Sequence, residues 1–250
     1  MRASLAIAAL CAGATALLGC STETLPEPEP QVVERTAAER GAEAFASSET
    51  SRHPFNRFSC STCHAVDEAP ADRTLPGSLL AGVTRRPNFW AGEEIDLLRS
   101  VNQCLQTFML DDELWTGIEP VAVDIWAFLE SISPDGASAE PAPFTVAFEV
   151  PVLPAGDATL GEAVFQRACV GCHGTPHEGE GRLVDFAPVL PEDALASHPI
   201  GKYTPTEQRQ ALAEKVRHGP FLGYGGIMPP FSTEVMTDAE IAGLLTFFGL

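Results

Sequence analysis

Apolar residues recur at helical spacing in a few short stretches of this chain, and Pro, Gly and acidic residues break the pattern between them. Thr36-Ala-Ala-Glu39 and Thr159-Leu-Gly-Glu162 each match a capping box, in which a hydroxyl and a carboxylate satisfy free N–H groups at a helix start. They introduce two similar short patterns, Gly41-Ala42-Glu43-Ala44-Phe45 and Gly161-Glu162-Ala163-Val164-Phe165. Two more apolar stretches predict helices. One covers residues 121–132, is entered through Pro120 and carries Ile125, Trp126, Phe128 and Leu129. The other follows the capping box Thr237-Asp-Ala-Glu240 and carries Ile241, Leu244, Leu245, Phe247 and Phe248. A further helix starts at Thr204-Pro205-Thr206-Glu207 and ends at Gly219-Pro220, after His218. In the Pro- and Ala-rich segment 134–156, Phe144, Val146, Phe148, Val150 and Val152 alternate with other residues in a strand-like period, which predicts an extended strap packed across a domain boundary.

The helical pattern therefore repeats, and each copy encloses one Cys-x-x-Cys-His pentapeptide: Cys60-Ser-Thr-Cys63-His64 and Cys169-Val-Gly-Cys172-His173. Cysteines at i and i+3 lie on one side of a helical turn, so both sulfurs reach the vinyl groups of one porphyrin and the adjacent histidine supplies the proximal iron ligand. The copies lie too far apart for a zinc ribbon, and no βαβ pattern surrounds them as a thioredoxin-like site requires. The expected cofactors are two covalently bound haem c groups.

This order of helices around each pentapeptide resembles the cytochrome c fold, whose first and last helices cross through a small residue and an aromatic. The resemblance implies an all-α protein with two tandem cytochrome c domains, each a small helical fold wrapped around one covalent haem. The expected divisions are a signal peptide over 1–19, a Pro/Glu-rich tether over 20–35, cytochrome c domains over 36–134 and 156–250, and the strap over 135–155.

Gly225-Gly226-Ile227-Met228-Pro229-Pro230-Phe231 resembles the Met-Pro loop of class I cytochromes c, which makes Met228 the distal ligand of the second haem. Met236, at the entry to the last helix, is expected to pack. Of seven cysteines, Cys11 falls in the signal and Cys20 at the lipidation site described below, four attach haem, and Cys104 is left over. Cys104 stands in Val101-Asn102-Gln103-Cys104-Leu105-Gln106-Thr107-Phe108-Met109-Leu110. That stretch is similar to the first haem domain of thiosulfate dehydrogenases and related sulfur-oxidation cytochromes, which implies that Cys104 is the distal ligand of the first haem. The thioether of Met109 is the competing ligand, and an open or His-ligated iron remains a third arrangement. A positive pocket for an anionic substrate would come from Arg85 and Arg86, since Leu105-Gln106-Thr107-Phe108 holds no basic residue. His53, His177, His198 and His218 are not assigned as ligands.

The amino terminus reads as an export signal: Arg2, an apolar run too short to span a bilayer, then Leu17-Leu18-Gly19-Cys20, which resembles a lipobox with Cys20 as the lipidated residue. The segment after it, with Leu25-Pro26-Glu27-Pro28-Glu29-Pro30, reads as a solvated tether. The expected location is the periplasmic face of the cell envelope, lipid-anchored to the inner or outer membrane. A formal charge of −19 excludes nucleic acid as a partner and favours redox proteins of the respiratory chain with a basic docking surface. The expected function is electron transfer. The alternative is an oxidoreductase acting on a small sulfur compound such as thiosulfate at the first haem.

Overall fold

Glycines fix where the helices cross. In the computed structural model, described over residues 34–250, helix α1 (Ala37–Ala46) lies against α4 (Pro120–Ser131), and a Cβ on Gly41 would stand 1.9 Å from the Asp124 carbonyl oxygen. Helix α5 (Ala158–Val164) meets α9 (Asp238–Phe247) in the same way, with a Cβ on Gly161 falling 2.0 Å from the Gly243 carbonyl oxygen. Aromatic rings close both crossings: Phe45 and Phe128 have centroids 5.3 Å apart, and Phe165 lies 5.9 Å from Phe247 and 5.7 Å from Phe248.

The remaining α-helices among the described residues are α2 (Cys60–Cys63), α3 (Leu97–Thr107), α6 (Val170–His173), α7 (Glu192–Ser197) and α8 (Pro205–His218). No strand occurs among the described residues, and the single isolated bridge joins Phe89 to Glu94, so the fold is all-α. Two hydrophobic cores form within Arg35–Leu250. One gathers Phe45, Phe58, Leu105, Trp115, Ile125 and Leu129; the other gathers Val164, Phe165, Leu212, Phe231, Ile241 and Leu245. Met236 is buried in the second core.

Capping boxes form at Thr36/Glu39, Thr204/Glu207 and Thr237/Glu240. The expected box at Thr159/Glu162 does not form. Asp157 caps α5 instead, its carboxylate accepting the Thr159 N–H at 2.8 Å, so the helix starts before the threonine. A π-helical segment, Phe165–Cys169, joins α5 to α6 and carries the chain into the second pentapeptide.

The strand-like alternation at 144–152 does not sort inside from outside. Val146, Phe148 and Val152 are exposed, whereas Phe144 and Ala147 are half-buried and Val150 and Leu153 are buried. The inward period is three, the repeat of a polyproline-type helix, which suits a segment containing Pro141, Pro143, Pro151 and Pro154. The segment is nonetheless held along its length. Thr145 N–H donates to the Glu234 carboxylate at 3.0 Å, and the Gln210 amide donates to the Val150 carbonyl at 2.6 Å. His218 Nε2 donates to the Ala147 carbonyl at 2.5 Å, and Arg209 Nε donates to the Leu153 carbonyl at 3.1 Å.

The expected signal peptide and Cys20 lie outside the described residues, as does nearly all of the tether.

Candidate functional site: two adjoining histidine–cysteine cavities

Each pentapeptide opens into a cavity, and the same local device orients each histidine. Ser59 precedes α2 and forms a capping box with Thr62, so Cys60 and Cys63 share one helical turn. His64 follows immediately, and its Nδ1 lies 2.8 Å from the Ser78 carbonyl oxygen. In the second pentapeptide, His173 Nδ1 lies 2.9 Å from the Pro188 carbonyl oxygen. A carbonyl oxygen only accepts, so Nδ1 carries the proton in both rings and the Nε2 lone pair is left free for a metal. Burial holds both imidazoles below their ordinary pKa, which favours the neutral, ligating form.

The first cavity is lined on one side by Cys60, Cys63 and His64. One face of α3 lines the other side through Leu97, Ser100, Val101, Cys104, Leu105 and Phe108. Cys104 and Met109 both reach it, Cys104 from the last turn of α3 and Met109 from just beyond its end, where Met109 is buried and its carbonyl accepts from Ser51 Oγ at 2.7 Å. Burial pushes the Cys104 thiol above its ordinary pKa, with the neighbouring Cys60 and Cys63 thiols adding to the effect.

The second cavity is lined by Cys169, Cys172, His173 and Met228. The Met228 loop is gripped by the end of α8. Lys215 Nζ donates to the Gly219 carbonyl at 2.8 Å and the Gly225 carbonyl at 2.6 Å, and Phe231 N–H donates to the Val216 carbonyl at 2.9 Å. Gly219 sits at φ +58, where a Cβ would fall 2.5 Å from the Met228 carbonyl oxygen, so glycine is required on both counts.

The two cavities adjoin. Phe58, Cys63, Pro76 and Pro229 line both, and the charge of a Cys172 thiolate would oppose ionisation of Cys63. The Met228 loop is shared as well: Met228 faces the second cavity, Pro230 lines the first, and Ile227 packs on the first core. Ala142 and Phe144 of the strap also line the first cavity.

These walls fit a covalent porphyrin. Each cavity is predominantly apolar and pairs a Cys-x-x-Cys turn with a histidine of fixed tautomer and a sulfur donor. Gly77 leaves room for the His64 ring, since a Cβ there would come 2.4 Å from His64 Cε1. The Trp90 indole N–H is buried in the wall of the first cavity with no partner, an unused donor for a group with an acceptor. Trp90 and the following Ala91 both adopt left-handed backbone, at φ 51 and 56, which holds the indole there at some cost.

Arg85 does not form the positive pocket the sequence suggests. It pairs with Glu130 at 3.4 Å and Asp135 at 3.6 Å, and its Nε donates to the Ser133 carbonyl at 3.2 Å. Arg86 lines the first cavity but is bound to the Leu79 carbonyl at 2.6 Å and the Ala81 carbonyl at 3.0 Å, beside the loop that orients His64. Of the other histidines, His218 is occupied with the strap, His177 pairs with Glu192 at 2.6 Å, His198 Nδ1 bonds the Ala194 carbonyl at 2.9 Å, and His53 lies tilted against the Phe55 ring; none lines either cavity. Gly77, Trp90 and Ala142 are not singled out by the sequence, because their roles depend on long-range contacts that no local spacing encodes.

Residues 156–248 match the family described as cytochrome c oxidase, cbb3-type, subunit III. That match covers the second pentapeptide and Met228, so the chain contains a cytochrome c domain, with covalently bound haem c as its cofactor. No curated protein matches the chain. Among solved structures, it is similar to the as-isolated form of thiosulfate dehydrogenase (TsdBA) from Marichromatium purpuratum, at a TM-score of 0.42 and 16% identity. That likeness covers 91% of this chain and 49% of that one, so this chain spans about half its length.

Proposed function

We propose that the chain is a dihaem c-type cytochrome that transfers electrons in the bacterial cell envelope, anchored through Cys20 and exchanging electrons with respiratory redox proteins that dock by a basic surface. The observation that carries this reading is the pair of adjoining cavities, each with its own Cys-x-x-Cys turn and carbonyl-oriented histidine. Bound haem c supplies one-electron exchange between ferric and ferrous iron. The protein's part is to hold and insulate. Cys60, Cys63, Cys169 and Cys172 make the thioether links; His64 and His173 ligate through Nε2; and the Ser78 and Pro188 carbonyls fix both rings. Met228 supplies the second distal ligand from a loop that Lys215 and Gly219 hold in place. Cys104 or Met109 supplies the first; Cys104 is preferred because it projects from a regular helical face lined up along the cavity.

Electron transfer is favoured over thiosulfate oxidation because the first cavity offers an anion little. His64 and Arg86 are its only basic lining residues among the described ones, and both are engaged with the Leu79–Ala81 side of the cavity or its neighbour Ser78. The test is steady-state assay of the haem-loaded protein with thiosulfate and with peroxide, alongside stopped-flow exchange with a small redox protein. Fast exchange with no turnover is the expected result; turnover of either substrate at a rate that falls on Cys104→Ala would replace this reading with an enzymatic one.

A further inference from the structure

In a chain with 34 acidic and 15 basic residues, a basic side chain with no polar partner at all stands out. Among the described residues, Arg73 and Lys202 are the basic side chains that make no hydrogen bond or ion pair. Lys202 lines neither cavity. Arg73 lines the second one, together with Cys63 from the first pentapeptide and Cys172 from the second.

Its backbone is fixed from both sides. Arg73 N–H donates to the Pro70 carbonyl at 3.2 Å, and the next residue, Thr74, donates its N–H to the Arg167 carbonyl at 2.9 Å, just ahead of Cys169. Leu75 and Pro76, which follow, are buried, so the loop is anchored and not free to swing away. Arg73 thus shares one cavity wall with a haem-attaching cysteine of each pentapeptide. A cation in that wall acts on both haem edges attached to those sulfurs.

We propose that Arg73 is an electrostatic residue shared by the two haem sites, setting both reduction potentials from the joint between them. This rests on the dihaem reading above. Ferrous haem carries one positive charge fewer than ferric haem, so a nearby cation favours the reduced form and raises the potential. Because Arg73 is exposed to solvent, salt weakens its effect. Sharing one cation makes the two potentials move together, which keeps their difference, and hence the direction of electron flow, insensitive to that charge.

The test is an optical redox titration of the haem-loaded full chain, at low and high ionic strength, for wild type, Arg73→Gln, Arg73→Lys and Lys202→Gln, with the haem content of each sample measured by its alkaline pyridine spectrum. The expected result is that Arg73→Gln lowers both potentials in the same direction, by more at low salt than at high salt. Arg73→Lys should restore most of the shift, and Lys202→Gln should leave both potentials in place. Two haems per chain with either potential unmoved by Arg73→Gln would overturn the shared role while leaving the dihaem reading intact. One haem per chain in the wild type would overturn the dihaem reading itself.

Discussion

The oxygen that holds an imidazole decides which nitrogen is left to bind iron, and here two backbone carbonyls do that work for His64 and His173. Small residues give those rings their space. Gly77→Ala would drive a methyl group into the His64 ring, a 2.4 Å contact with no flexible partner to yield. The expected outcome is a chain that keeps the haem of the second site and loses or misligates the first, read as a halved haem content or a changed spectrum in one of two components. Replacement of the Met228 thioether should lower the potential of one haem and leave the other in place, since a Met distal ligand raises potential; a redox titration of Met228→Ala checks it. Both pentapeptides and Met228 are legible in the sequence because their chemistry is local. Trp90 is not: its unpaired indole N–H becomes apparent only once the left-handed turn at Trp90 and Ala91 carries it into the cavity wall.

Helix boundaries followed the sequence wherever a capping residue had no rival. Thr36, Thr204 and Thr237 cap as their spacing predicts, but at α5 the carboxylate of Asp157 outcompetes Thr159, and the π-helical turn that follows has no simple sequence signature. The strap shows the converse failure. Its alternating apolar residues suggested period two, whereas prolines impose period three. The Gly161 crossing carries a direct stability prediction. A methyl group placed 2.0 Å from the Gly243 carbonyl forces α5 and α9 apart, so Gly161→Ala should destabilise by about 1–3 kcal/mol or more, as overpacking does, measured by denaturant titration. The start of α4 carries a pH prediction. Backbone and side-chain hydrogen bonds from Thr116, with the Gly117 N–H, lower the Glu119 carboxyl to about 2 from its ordinary 4.5. A pKa depressed in the folded state means stability that is fully present above the ordinary value and lost as pH falls towards the folded one. Wild type should therefore exceed Glu119→Gln in melting temperature at pH 7, and the gap should close as the pH is taken from above 4.5 towards 2.

The chain from 35 to 250 places two similar helical arrangements side by side, with Cys63 and Cys172 lining one cavity and the Met228 loop reaching both cavities. The repetition was visible in the sequence; the juxtaposition was not, because it is set by contacts such as Thr74 with Arg167 and Ile227 with the first core, between residues far apart in the chain. Two haem groups held this way would make a short internal conductor, and the proposed function depends on both being present. The most direct test is the denatured mass of the haem-loaded chain, because thioether-bound haem stays attached on unfolding. Wild type should carry two haem masses, and the Cys60→Ser/Cys63→Ser and Cys169→Ser/Cys172→Ser variants one each. A wild-type chain carrying a single haem, lost with one cysteine pair and indifferent to the other, would contradict it.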